Sequence, residues 1–165
     1  MSQKLSAPQP LSAEHRVEEF ACGESSLDEW LRRRALPNQT TGASRTFVVV
    51  DNSSQVVAYY AMAAGAVSHQ EVSGRIRRNM PDPVPVMVLA RLAVDQRYQG
   101  NKLGAAMLQD AVRRSLAVAQ NAGVRALLVH ALNESSRQFY IHYGFEPSPV
   151  NSMTLMLPIR PANHQ

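Results

Sequence analysis

Residues 90–106 read ARLAVDQRYQGNKLGAA: an apolar run that stops at Asp95, a loop holding Gly100, and a second apolar-periodic segment that opens near Gly104. A buried strand, a glycine loop and a helix in that order make a phosphate-binding layout, because the first N–H groups of a helix lack intrahelical partners and its dipole favours an anion there. Gly100, Gly104 and Ala105 are small enough to let a ligand approach the backbone. Gly104 is followed by Ala105 rather than by Lys and Ser or Thr, so this is no Walker loop, nor is it a G-x-G-x-x-G fingerprint. ATP and NAD are disfavoured accordingly. On spacing alone, an ordinary tight strand-to-helix turn accounts for the same residues equally well.

Outward from this stretch, residues 86–94 (VMVLARLAV) have the near-continuous apolar run of a central strand covered on both faces, interrupted by Arg91. Leu103, Met107, Ala111, Ser115 and Ala119 recur every fourth residue, which predicts a long helix with Gln109, Asp110, Arg113 and Arg114 facing away. Gly123 marks its stop, residues 124–132 (VRALLVHAL) return to strand character, and Asn133 caps a short helix carrying Phe139, Tyr140 and Tyr143 that ends at Gly144. Residues 152–159 read as a last strand.

Upstream, residues 45–51 and 55–67 are β-branched and aromatic around a turn at Asn52, Ser53 and Ser54, which predicts a hairpin. Ser26 and Glu29 have capping-box spacing for a helix with Leu27, Trp30 and Leu31 on one face, halted by Pro37. Residues 15–21 read as an irregular strand, with order beginning near Leu11. The basic segment 74–80 (GRIRRNM) reads as a surface arm before Pro81, Pro83 and Pro85, residues that continue neither a helix nor a central strand.

At 165 residues, 45% hydrophobic and 18% charged, the chain is expected to form a single domain over 1–165, with 1–10 and 160–165 flexible. Lys and Arg number 17 against 13 Asp and Glu, and the formal +4 favours an anionic partner such as nucleic acid or a phosphorylated cofactor. Cys22 is the only cysteine, so neither an internal disulfide nor a paired-Cys zinc site is available. The histidines at 15, 69, 130, 142 and 164 are scattered, and no metal is expected. No run approaches the roughly 20 apolar residues of a membrane span and no secretory signal opens the chain, so a cytoplasmic protein is expected.

The segment Gln99 to Ala105 resembles the pyrophosphate loop of the GNAT superfamily of acetyl-CoA-dependent N-acetyltransferases: Gln or Arg, two residues, Gly, any residue, Gly or Ala. Gln99 and Gly104 take the outer positions, and Lys102 stands where the pattern has its central glycine. A side chain there resists positive φ, but it offers a cation to a diphosphate. The likeness runs from PQPLSAEHRVEEFACGESSLDEWL through RTFVVV, RRNMPDPVPVMVLARLAVD and LLVHALNESSRQFYIHYGFEPS to TLMLP. That combination resembles the bacterial GNAT toxins of type II toxin-antitoxin modules, the TacT, KacT and AtaT type.

The resemblance implies an α+β fold of three layers, with a mixed, mostly antiparallel central sheet flanked by helices and splayed central strands. It implies acetyl-CoA as acetyl donor and the α-amino group of charged tRNA as acceptor, with translation blocked as the result. A ribbon-helix-helix antitoxin and a homodimer are implied as partners. By the same resemblance Leu92, Ala93 and Val94 offer backbone to the pantetheine arm and the thioester carbonyl. Gln99, Gly100, Lys102, Leu103, Gly104 and Ala105 hold the diphosphate, and Asn133 and Ser136 contact the cofactor arm. Tyr140 is the general acid for the departing thiolate, and Arg75, Arg77, Arg78 and Arg91 form a rim for tRNA phosphates. Without the resemblance, Phe139, Tyr140 and Tyr143 read as packed aromatic surface and the arginine arm as a solvated loop. No carboxylate or histidine is needed as base, because an α-amine with a pKa of about 7.7–8.0 is partly neutral at pH 7. A GNAT enzyme acting on protein N-termini or small amines, and a non-catalytic module that binds nucleic acid or an antitoxin, are the alternative readings.

Overall fold

The computed structural model describes residues 4–160. Among them the strands are β1 (Gln9–Pro10), β2 (Arg45–Val50), β3 (Val56–Val67), β4 (Val84–Val94), β5 (Ala126–His130), β6 (Glu146–Pro147) and β7 (Thr154–Pro158). The helices are α1 (Ser25–Trp30), α2 (Leu36–Thr41), α3 (Gly74–Arg77), α4 (Leu103–Ala119) and α5 (Glu134–His142). The sheet order is β1-β2-β3-β4-β5-β7-β6. β4 and β5 pair parallel, and β1–β2, β2–β3, β5–β7 and β6–β7 pair antiparallel, so the sheet is mixed and mostly antiparallel as expected. The described residues fall into two compact units, 4–63 with 90–111, and 64–89 with 112–160.

In the first unit the expected hairpin is present, with Arg45 opposite Met62 and Val49 opposite Ala58. Its turn is held by Asp51, whose carboxylate accepts from the N–H groups of Ser53 and Gln55. Order begins earlier than Leu11: Ser6 exchanges hydrogen bonds with Val50 through its N–H and its Oγ, and Gln9 and Pro10 pair with Val48 and Phe47. Residues 15–21 form turns rather than a strand, with a single bridge between Arg16 and Gln55.

The capping box expected at Ser26 does not form. Helix α1 starts two residues earlier, with Glu24 in the N-cap position and no side-chain cap, and Asp28 turns inward to accept from the Cys22 N–H at 2.9 Å. Pro37 does not halt the helical path either. A wide π turn over Leu31–Ala35 resets the register, and Pro37 falls in the first turn of α2, where its missing N–H costs no intrahelical bond. Gly42, at φ 85, closes α2. Leu11, Phe20, Leu31, Ala35, Val48, Val50, Val56, Tyr59 and Ala93 form this unit's apolar core.

Asp110 corrects the reading of α4. It is buried rather than solvent-facing, and it accepts a hydrogen bond from the Tyr60 hydroxyl on β3. A helical repeat locates the apolar stripe, but a tyrosine on a neighbouring strand makes room for a carboxylate inside it.

The second unit packs Val67, Val72, Ile76, Val84, Val86, Ala126, Leu128 and Met156 into its own core. Pro85 lies inside β4, contrary to expectation. It sits next to the strand's first residue, and its carbonyl still accepts from Arg125 N–H at 3.0 Å. Helix α5 has the predicted Asn133 cap, closed as a full box: Asn133 Oδ1 accepts from Ser136 N–H at 2.9 Å while Ser136 Oγ accepts from Asn133 N–H at 3.1 Å. The short strand β6 has no counterpart in the sequence reading.

Candidate active site

The loop between β4 and α4 is fastened at both ends. Asp95, 1% exposed, ends the strand; its carboxylate accepts from the N–H of Ala21 at 3.1 Å, the N–H of Arg97 at 2.9 Å, and the Arg97 guanidinium at 3.0 and 3.2 Å. Burial pulls the Asp95 pKa upward, but the hydrogen bonds from Arg97 and Ala21 together outweigh it and hold the carboxyl below its ordinary value. Gln99 turns its side-chain amide back to donate to Cys22 C=O at 2.9 Å and Val94 C=O at 2.8 Å. Its side chain therefore braces the loop against the segment before α1.

Gly100 has φ +86, a left-handed conformation suited to glycine, and a Cβ placed there would meet nothing within 4 Å. Lys102 adopts φ 62, so the side chain at the pattern's glycine position takes the glycine conformation nonetheless. The hydrogen bond from Ala106 N–H to Lys102 C=O, at 3.1 Å, opens the helix, and Leu103, Gly104 and Ala105 stand before it with no intrahelical acceptor for their N–H groups. Their donors, an open flank at Gly100 and a lysine fit a diphosphate. Leu92, Ala93 and Val94 close β4 just before the loop. The β4–β5 ladder ends at Leu89 and Val129, and β4 continues to Val94.

In the second unit, Tyr140 lies on α5 with its ring against Phe139 at 5.2 Å and Phe145 at 5.3 Å. It is 8% exposed, and its hydroxyl has no hydrogen-bond partner among the described residues. Burial pushes its pKa well above the ordinary phenol value, so it stays protonated at neutral pH. Asn133 and Ser136 spend their side chains on the capping box. Cys22 is the only thiol, and burial, with Asp28 beside it, pushes it up to about 11, too high to supply a thiolate nucleophile near neutrality.

The four arginines of the expected rim differ in their engagements. Arg75 is ion-paired with Glu146 at 2.9 Å, and Ser73 donates to the same carboxylate at 3.1 Å. Arg77 donates to the carbonyls of His69 and Val72. Arg78 is exposed. Arg91, in the first unit, lies over the ring of Trp30 at 4.4 Å. Asp95, Glu146 and Trp30 were not singled out as site residues by sequence reasoning; the abrupt end of an apolar run at Asp95 was the one available signal. Among the described residues no helix is long and apolar enough to cross a membrane, and no group of three or more His, Cys, Asp or Glu is placed to hold a metal ion.

Comparison with known proteins places this geometry. The family described as acetyltransferase (GNAT) domain matches residues 43–147. A tRNA-acetylating toxin of Mycobacterium tuberculosis is 49% identical over 157 residues, covering 95% of this chain and 94% of that protein. A probable toxin TacT of Sinorhizobium fredii is 27% identical, covering 85% of this chain and 83% of that protein. Among solved structures, AtaT complexed with acetyl-methionyl-tRNAfMet superposes with a TM-score of 0.87 at 26% identity, covering 94% of this chain and 95% of that one. AtaTR bound with AcCoA gives 0.81 at 27% identity, covering 93% of each chain. From its glycine loop at the head of α4 to the match that spans both units, the chain belongs to the GNAT acetyltransferase family.

Proposed function

We propose that this enzyme transfers an acetyl group from acetyl-CoA to the α-amino group of the amino acid on charged tRNA, and so acts as a toxin that stops translation. The observation that carries the reading is the 49% identity, along 95% of the chain, to a protein named for acetylating tRNA. The chain 1–165 works as one GNAT domain, since the family match over 43–147 runs through both units. A ribbon-helix-helix antitoxin neutralises it and a homodimer in the cytoplasm is its working form; what supports an antitoxin partner is the structure of AtaT bound to the C-terminus of the antitoxin AtaR.

Acetyl-CoA supplies an activated thioester. The N–H groups of Leu103, Gly104 and Ala105 and the backbone at Gly100 hold its diphosphate, with Lys102 adding a positive charge. Gln99 acts through its brace on Cys22 and Val94, which fixes the loop. Backbone N–H groups along Leu92, Ala93 and Val94 orient the pantetheine arm and polarise the carbonyl. The neutral amine attacks the carbonyl carbon, and the Tyr140 hydroxyl gives its proton to the sulfur as the C–N bond forms and the C–S bond breaks; the proton shed by the nitrogen leaves to water, from which the phenolate is reprotonated. Asn133 and Ser136 cap α5, the helix that carries Tyr140. Arg75, Arg77, Arg78 and Arg91 meet tRNA phosphates, Arg75 and Arg77 chiefly by shaping the arm.

The test is incubation of the purified protein with labelled acetyl-CoA and separate pools of charged tRNA, uncharged tRNA, peptides and polyamines. Label should appear on charged tRNA alone and leave with the amino acid when the ester is hydrolysed. Label on peptides or polyamines instead points to a different acceptor amine, and no binding of acetyl-CoA in calorimetry points to a non-catalytic module.

Lys102 gives a separate prediction. A non-glycine residue in the left-handed region costs roughly 1–2 kcal/mol, part of which returns as chain entropy on going to glycine. Lys102→Gly should therefore stabilise the fold by about 0.5–1 kcal/mol in urea denaturation while weakening acetyl-CoA binding several-fold, with a shallower salt dependence. Unchanged affinity would show that the lysine does not serve the diphosphate.

A further inference from the structure

Arg91 sits on β4 next to the backbone assigned above to the thioester, and its guanidinium carbon lies 4.4 Å above the centre of the Trp30 ring. Trp30 is itself held in place. It stacks on Tyr59 at 5.9 Å with 10° between the rings, Tyr59 donates its hydroxyl to Leu27 C=O at 2.7 Å, and Phe20 meets Tyr59 edge-on at 5.5 Å. An aromatic face attracts a cation but accepts none of its in-plane N–H bonds, so stacking leaves the five donors of a guanidinium available. No side-chain hydrogen bond or ion pair engages the Arg91 guanidinium among the described residues, although the residue is half-buried. A half-buried cation oriented by a ring and left without an acceptor suits an anion delivered from outside, and the planar fork of arginine suits a phosphate.

We propose that Trp30 is a positioning residue for charged tRNA: its ring holds the Arg91 guanidinium over its face, leaving the N–H fork to a phosphate of the acceptor end. The inference rests on the tRNA-acetylating reading above and adds to it the residue that presents the arginine. The shared chemistry is a phosphate ester, which acetyl-CoA also carries, and kinetics with each substrate varied in turn separates the two sources.

The experiment compares wild-type protein with Trp30→Leu, Trp30→Phe, Arg91→Lys and the double variant Trp30→Leu with Arg91→Lys, measuring KM for charged tRNA, KM for acetyl-CoA, kcat and Tm. Arg91→Lys and Trp30→Leu should each raise the tRNA KM about 5–10-fold, the range expected for losing a bidentate or a stacked contact. The double variant should be no worse than Arg91→Lys alone, because both changes break one interaction. Trp30→Phe keeps an aromatic face and should restore most of the affinity. A tRNA KM that stays at the wild-type value in Trp30→Leu, additive losses in the double variant, or a rise in the acetyl-CoA KM in place of the tRNA KM would each overturn the proposal. If Trp30→Leu does not fold, the comparison of Trp30→Phe with Arg91→Lys decides: a smaller rise in Trp30→Phe supports the proposal and an equal one overturns it. Wild-type protein that acetylates no charged tRNA defeats the tRNA reading itself, and this inference with it.

Discussion

Tyr140→Phe should lower kcat for acetyl transfer about 100-fold or more, the usual contribution of a positioned general acid. Acetyl-CoA affinity and stability should change little. The ring packs against Phe139 and Phe145, and phenylalanine preserves that packing. The hydroxyl has no partner among the described residues, so its removal orphans no buried group. Burial raises the phenol pKa, so the wild-type pH profile should rise as the acceptor amine loses its proton near pH 8, with no descending limb from Tyr140 at or below the ordinary phenol value of about 10. A stopped assay from about pH 6.5 to about 9.5, roughly one and a half units either side of the amine midpoint near 8, reads both effects. A Phe variant that works at the normal rate removes Tyr140 from the chemistry.

Asp95→Ala is the largest expected stability effect, a loss of about 2–3 kcal/mol in denaturant unfolding. The change strips the partner from Ala21 N–H, Arg97 N–H and the Arg97 guanidinium at once. The full penalty of breaking a buried ion pair is discounted because the Arg97 side chain is 55% exposed and water can take over its half. The pH dependence has a definite sign. The folded-state pKa of Asp95 lies below the ordinary carboxylate value, so its contribution is complete above that ordinary value and is lost as pH falls through the folded one. Wild-type protein should lose stability more steeply than Asp95→Ala below about pH 4. Parallel acid limbs in the two proteins would show that the carboxylate is not held ionised. Because Asp95 anchors the start of the loop, the variant's acetyl-CoA KM should rise as well.

Much of the site is legible because its signals are local. The glycine loop, the start of α4, the hairpin and the Asn133 cap each depend on residues within a few positions of one another, and each lies within a residue or two of where the pattern puts it. Tyr140 is legible as a site residue only through the family likeness, since an aromatic cluster on a helix is by itself ordinary packing. Lys102 shows the limit of a motif: its departure from the glycine pattern is visible in the string, but that the backbone tolerates φ 62 there is not.

What the chain order alone determined is the alternation of strands and helices, the backbone donors at the head of α4, and the surplus of basic charge, because periodicity, capping and composition are properties of neighbours in sequence. Tertiary structure decided which polar groups work inside. Asp110 turns inward because Tyr60 is there to meet it, Asp28 is recruited by the Cys22 N–H rather than by a cap, and Asp95 ties its own loop to the segment at Ala21. Arg91 finds Trp30, and Arg75 finds Glu146, across separations that no local pattern encodes. The physical reason is common to all of them: a buried or oriented charge is stable only where its partner is, and the partner's place is set by the packing of other elements.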